Sequence, residues 1–77
     1  GYVGVYVLPD GRKLTITPAF ENYLSAKVDD LASTYFMPNG PDRFYAYALD
    51  LDVRFDPHGL TLAGRGASAR AARQPAN

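Results

Sequence analysis

The sequence predicts an α+β domain of order β-β-α-β-β: a four-stranded, largely antiparallel sheet with one helix packed on one face. Three observations predict it. Two segments read as β-hairpins around strong turn signals, at Pro9-Asp10-Gly11 and at Asp56-Pro57-His58-Gly59. Between them Phe20, Leu24, Val28, Leu31 and Tyr35 recur at spacings of three and four, the period of one helix face.

Residues 2–8, YVGVYVL, are β-branched and aromatic and form the first strand by propensity. In the following turn, proline presets one position and glycine supplies a positive φ. KLTIT then alternates as the second strand. Thr17-Pro18 offers an N-cap and a first-turn proline for a helix that runs to about Phe36 and stops before MPNGP. Residues 44–55, FYAYALDLDVRF, alternate almost without a slip as one long strand. Leu60 to Ala63 return as a short fourth strand after a type I turn signal.

This element order resembles the β-grasp arrangement of ubiquitin-like and immunoglobulin-binding bacterial domains. The resemblance covers residues 2–64 in order alone; no motif accompanies it, so it implies a shape and no site residue.

With one helix over one sheet face, the helix stripe meets Leu14, Ile16, Leu60, Leu62, the odd positions from Tyr45 to Phe55, and Val3, Val5 and Val7. The opposite face then shows Tyr2, Tyr6, Leu8, Ala46 and Ala48 with Asp50, Asp52 and Arg54. Tyrosine combines a large apolar body with a polar tip, which suits an interface. The expected partner-binding set is therefore Tyr2, Tyr6, Ala46, Ala48, Asp50, Asp52 and Arg54, aided by the free edge of the long strand.

Seventy-seven residues make a single domain, expected at 1–64, followed by a basic Ala/Arg/Gly-rich tail at 65–77. Eight basic and eight acidic residues give no net charge, but they segregate. Residues 1–64 hold five basic against eight acidic residues, a net of −3, and the tail's Arg65, Arg70 and Arg73 give +3. Those three arginines are the candidate tail contacts, to an acidic surface or to phosphates.

Chemistry-bearing patterns are sparse. Asp50 and Asp52, about 6.6 Å apart along one strand, could hold a cation or act as acid and base, but no third ligand or nucleophile is placed with them. His58 sits in a turn. Gly64-Arg65-Gly66 is a bare GxG without a following helix. With no cysteine and one histidine, a structural zinc site of four Cys or His ligands is almost excluded. The sequence thus points to no catalytic residue, metal or cofactor.

No apolar run approaches the ~20 residues of a membrane span, so no membrane partner is expected. The chain opens on glycine, as a processed or excised domain would. Absence of cysteine tilts the expectation toward the cytoplasm without fixing it. The function these features favour is a small non-enzymatic protein-interaction module or assembly subunit, an accessory or inhibitor protein by type. Nucleic-acid binding through the arginine tail is the alternative.

Overall fold

The computed structural model describes residues 1–75 and is all β. Eight strands follow one another up and down around a closed antiparallel barrel: β1 (Gly4–Val7), β2 (Lys13–Pro18), β3 (Leu24–Val28), β4 (Thr34–Pro38), β5 (Arg43–Ala46), β6 (Leu51–Asp56), β7 (Gly59–Gly64) and β8 (Ala67–Arg73). One 3-10 turn, Tyr47–Leu49, joins β5 to β6. The barrel measures 29 × 29 × 25 Å. The α+β sheet and its β-grasp likeness are thereby overturned: among the described residues there is no α-helix, and each strand pairs with a neighbour on both sides.

Both hairpins expected at the turn signals are present, as β1–β2 and β6–β7. In the second, the Asp56 carboxylate accepts the His58 backbone N–H at 2.8 Å, the Asx contact that makes aspartate a turn former.

The expected helix is instead the hairpin β3–β4. Its apolar spacing was ambiguous, because Leu24 and Val28 are four apart and share a face in a helix and in a strand alike. Asp29-Asp30, within the span expected to be helical, is the turn. Asp29 adopts φ 42°, and its side chain accepts the Lys13 N–H at 3.1 Å, tying the turn to β2. Thr17-Pro18 caps nothing: Pro18 closes β2 opposite Leu24, and a five-residue connection, 19–23, follows with Glu21 at φ 51°.

The expected 44–55 strand is also two strands. After Ala46 the chain winds through the 3-10 turn into Asp50 at φ 52° and then returns, so that Phe44 faces Val53 and Ala46 faces Leu51. The turn shifts the phase of the alternation. Even positions are buried before it (Phe44, Ala46) and odd positions after it (Val53, Phe55). No edge of a long strand is left over.

Residues 67–73, expected in a basic tail, form β8. It pairs with β7 over six registered positions and closes the barrel against β1 over two, Tyr6 with Arg73 and Val7 with Ala72. Small residues of β8 face in, where Ala71 lies opposite Leu60 and Ala69 opposite Leu62. They leave room for the bulkier Phe36, Phe44 and Phe55 across the interior. Where chains approach most closely, glycine is required: a Cβ at Gly59 would overlap the Ala71 carbonyl oxygen, and one at Gly64 the Asp50 carbonyl oxygen.

An eight-stranded barrel of this kind has an interior that side chains can just fill. Thirteen apolar residues from all eight strands and their borders do so, with Tyr6, Ile16, Leu60 and Val53 the largest completely covered. The β1 phase is opposite to the expected one. Tyr6 and Leu8 face in, while Val3 remains 47% exposed. Tyr6 can be buried because its hydroxyl donates to the Tyr2 carbonyl at 2.8 Å, leaving no orphaned polar atom.

Candidate interaction surface

The inward set uses up most apolar side chains, so those left outside stand out. Phe20, Tyr23, Tyr35, Met37, Tyr45 and Tyr47 form one connected band over the outer wall of β3, β4 and β5. The Phe20 ring stacks on Tyr23 at 4.7 Å and meets Tyr35 edge-on at 5.2 Å. Tyr35 and Met37 are two apart on β4 and so share its outer face. Met37 is the direct cross-strand partner of Tyr45, and Tyr45 meets Tyr47 edge-on at 6.2 Å. Tyr47 is 81% exposed and Tyr35 55%.

Backbone geometry holds this band. The β2–β3 connection is closed by Ala19 N–H to Tyr23 carbonyl at 3.1 Å and Tyr23 N–H to Phe20 carbonyl at 3.0 Å, which sets both rings beside β4. The 3-10 turn throws Tyr47 outward, and the left-handed Asp50 that ends it turns its carboxylate back to accept the Tyr45 hydroxyl at 2.7 Å. That hydrogen bond raises the Tyr45 pKa, with a smaller contribution from burial. Asp52 is the cross-strand neighbour of Tyr45 on β6. With Glu21 at the opposite end, the aromatic band is flanked by acids.

The residues expected to bind a partner do not gather on one surface. Tyr6 and Ala46 are 1% and 0% exposed, sealed in the barrel interior because the phases of β1 and β5 are reversed from expectation. Tyr2 is half-buried at the barrel end that carries the N-terminus, packed on Phe44 and Phe55 at centroid distances of 5.4 and 4.5 Å. Its hydroxyl donates to Asp42, which raises the Tyr2 pKa, and burial adds to the rise. Ala48 is exposed on the 3-10 turn. Asp50, Asp52 and Arg54 are exposed, the first in the turn and the others on β6.

Of the expected tail contacts, Arg65 occupies the β7–β8 turn at φ 53°. Arg70 grips Asp56 with two hydrogen bonds, at 2.6 and 2.8 Å. This fork, with the His58 N–H, holds the Asp56 carboxyl far below the usual carboxylate range. Arg73 donates to the carbonyls of Gly1 and Val3 at 2.7 and 2.9 Å and lies 5.7 Å from the Tyr6 ring centroid. Its guanidinium thus staples the last strand to the first.

Three concavities adjoin the aromatic band, one of them a shallow hollow of about 400 Å³ between Tyr2, Pro18, Tyr23 and Pro38. The barrel mouth at the β3–β4 end is an apolar hollow of about 180 Å³ between Leu31, Leu49, Phe36 and Leu62. A groove of about 380 Å³ runs over the outer face of β5, β6 and β7. Among the described residues no group of three or more His, Cys, Asp or Glu side chains could hold a metal ion. Asp50, in the turn, accepts the Tyr45 hydroxyl, and Asp52 lies opposite Tyr45 on β6, so the two do not share one strand face.

Comparison with known protein families, with curated proteins and with solved structures gives no significant match.

The aromatic band is not legible as a surface in the sequence, because the three-and-four spacing places Phe20 and Tyr35 on a buried helix stripe and the alternation places Tyr45 and Tyr47 on an inward strand face. The signals that could have found it are the turn formers Asp29-Asp30 and Asn39-Gly40, which bracket TYFMP as a short strand of its own.

Proposed function

We propose that this chain is a non-enzymatic protein-interaction module that captures an extended, proline-rich, arginine-bearing segment on the outer wall of β3, β4 and β5. The observation that carries this reading is the connected exposure of Phe20, Tyr35, Met37 and Tyr47 on a barrel whose interior is already full. Exposed apolar surface of this continuity marks interaction sites.

The closed barrel shapes what such a partner can be. With every strand paired on both sides, no edge offers backbone hydrogen bonds, so strand addition is replaced by side-chain recognition. Polyproline II segments dock against exposed aromatic side chains at little entropic cost, which suits this band. Glu21, Asp50 and Asp52 supply the complementary charge for arginine. The alternative use of Arg65, Arg70 and Arg73 as a nucleic-acid arm has less support, since Arg70 and Arg73 are engaged within the chain.

The test is an NMR titration of the labelled protein with a synthetic peptide of repeated prolines ending in arginine, against a control with glycine for proline. Shifts at Tyr35, Tyr45 and Tyr47, and weakening of about tenfold in Tyr35→Ala/Tyr47→Ala, are expected. Equal binding of the glycine control, or shifts elsewhere on the barrel, would discard the reading.

A further inference from the structure

The neighbouring wall carries a different chemistry. Outward residues of four consecutive strands stand in one row, Arg43 opposite Arg54, Arg54 opposite Thr61, and Thr61 opposite Arg70. Arg70 is neutralised by Asp56. Arg43 and Arg54 are not: the ion pairs among the described residues engage Arg12 and Arg70, and neither of the other two. Like charges placed directly opposite on an antiparallel pair oppose folding. Here they border the groove over β5, β6 and β7, whose walls also include Asn39, Asp52, Thr61 and Ala63.

We infer that this groove is a binding site for a small ligand with an oxyanion at one end and a hydroxyl or ammonium donor at the other. Two guanidinium forks borne at paired positions of β5 and β6 and lining one groove suit the oxygens of a phosphate or carboxylate, which can accept from both in bidentate fashion. Asn39, in the β4–β5 connection, and the Thr61 hydroxyl add neutral polar groups at the margins. Asp52 lies two residues from Arg54 on the same outer face, about 6–7 Å along the strand. A carboxylate at that distance repels a second anion and accepts from a donor. The groove's volume of about 380 Å³ falls at the small end of the range found for ligand sites, roughly 300–1,000 Å³. The site is independent of the peptide surface, sharing with it Asp52 alone.

The ligand chemistry is that of a phosphorylated amino acid, which could be free or part of another protein. The probes are therefore inorganic phosphate, free phosphoserine, serine, and a short peptide with phosphoserine at its amino terminus, which keeps the ammonium, each titrated against the labelled protein by NMR at constant ionic strength. Free phosphoserine is expected to bind at millimolar concentration or tighter and to shift the amides of Asn39, Arg43 and Arg54. It should bind more tightly than inorganic phosphate, and serine should not bind. Arg54→Gln should weaken it by about tenfold or more. Asp52→Asn should erase the advantage of phosphoserine over inorganic phosphate while leaving phosphate binding at least as strong. Tighter binding of the peptide than of the free amino acid assigns the ligand to a protein; the reverse assigns it to a free metabolite. Arg54 is exposed and its removal relieves a like-charge contact, so the variant should fold as the parent does. Absence of shifts in the groove at millimolar phosphoserine, or equal binding by folded Arg54→Gln, overturns the site. Neither result bears on binding of the proline peptide.

Discussion

Replacing Tyr6 separates the observed barrel from a sheet whose first strand has the opposite phase. In the structure Tyr6 is 1% exposed, with its ring 5.8 Å from Phe55 and its hydroxyl bonded to the Tyr2 carbonyl. Truncation to alanine removes a buried ring and leaves a cavity that a closed barrel cannot collapse, at a cost of about 3–5 kcal/mol for such aromatic deletions. A chain of this length has roughly 4–12 kcal/mol of stability in total. The Tyr6→Ala variant is therefore expected to lie near the edge of folding, its melting temperature down by roughly 12–40 °C at ~4–8 °C per kcal/mol. Tyr6→Phe keeps the ring and loses one hydrogen bond, about 1 kcal/mol. Val3→Thr, on a residue 47% exposed, should stay within about 0.5 kcal/mol of the parent. Urea unfolding followed by circular dichroism measures all three. A Tyr6→Ala loss below about 1 kcal/mol, with a larger loss for Val3→Thr, would show that the valines face in and refute the observed phase.

Other perturbations test other parts of the barrel. Gly59→Ala should cost about 1–3 kcal/mol in the same urea assay, since the new methyl meets the Ala71 carbonyl and the β7–β8 backbone must move. Asp56 has its pKa lowered in the folded chain, so its contribution is complete above the unfolded value of about 3.9 and is lost as pH falls through the folded one. Asp56→Asn should accordingly flatten the acid limb of a stability–pH profile and leave the neutral region's slope unchanged. Tyr6, its pKa raised by burial against the opposing charge of Arg73, and Tyr2, raised by Asp42, act with opposite sign. Their contribution is complete below about pH 10 and is lost as pH rises through the folded values, which tyrosinate absorbance read beside the unfolding curves will show. Arg73→Ala should speed amide exchange at Val7 and Gln74 along the β1–β8 seam more than at β6–β7, because that seam has two registered pairs and loses its staple to the Gly1 and Val3 carbonyls.

Local chemistry in the chain decided a good deal. Pro9-Asp10-Gly11 and Asp56-Pro57-His58-Gly59 make their turns whatever surrounds them, because proline, glycine and the aspartate side chain act over two or three residues. Leu14 and Ile16, Leu60 and Leu62, and Val53 and Phe55 point inward as their alternation implies. What closed the barrel was long-range. Leu24 and Val28 fit either period, and pairing with β2 and β4, together with the Asp29 side chain on Lys13, selects the strand. The run from Phe44 to Phe55 alternates throughout, yet burying Ala46 and Val53 on the same side requires a turn between them, since one straight strand would put them on opposite faces. In β1 both faces are apolar, so composition cannot choose between Tyr6 and the valines. The interior decides it, by offering Tyr6 a carbonyl partner and a ring-sized space that the alanines of β8 leave open. The aromatic band and the arginine row follow from the same cause: which side of a strand faces outward is a property of closure, and closure is set by eight strands pairing at once.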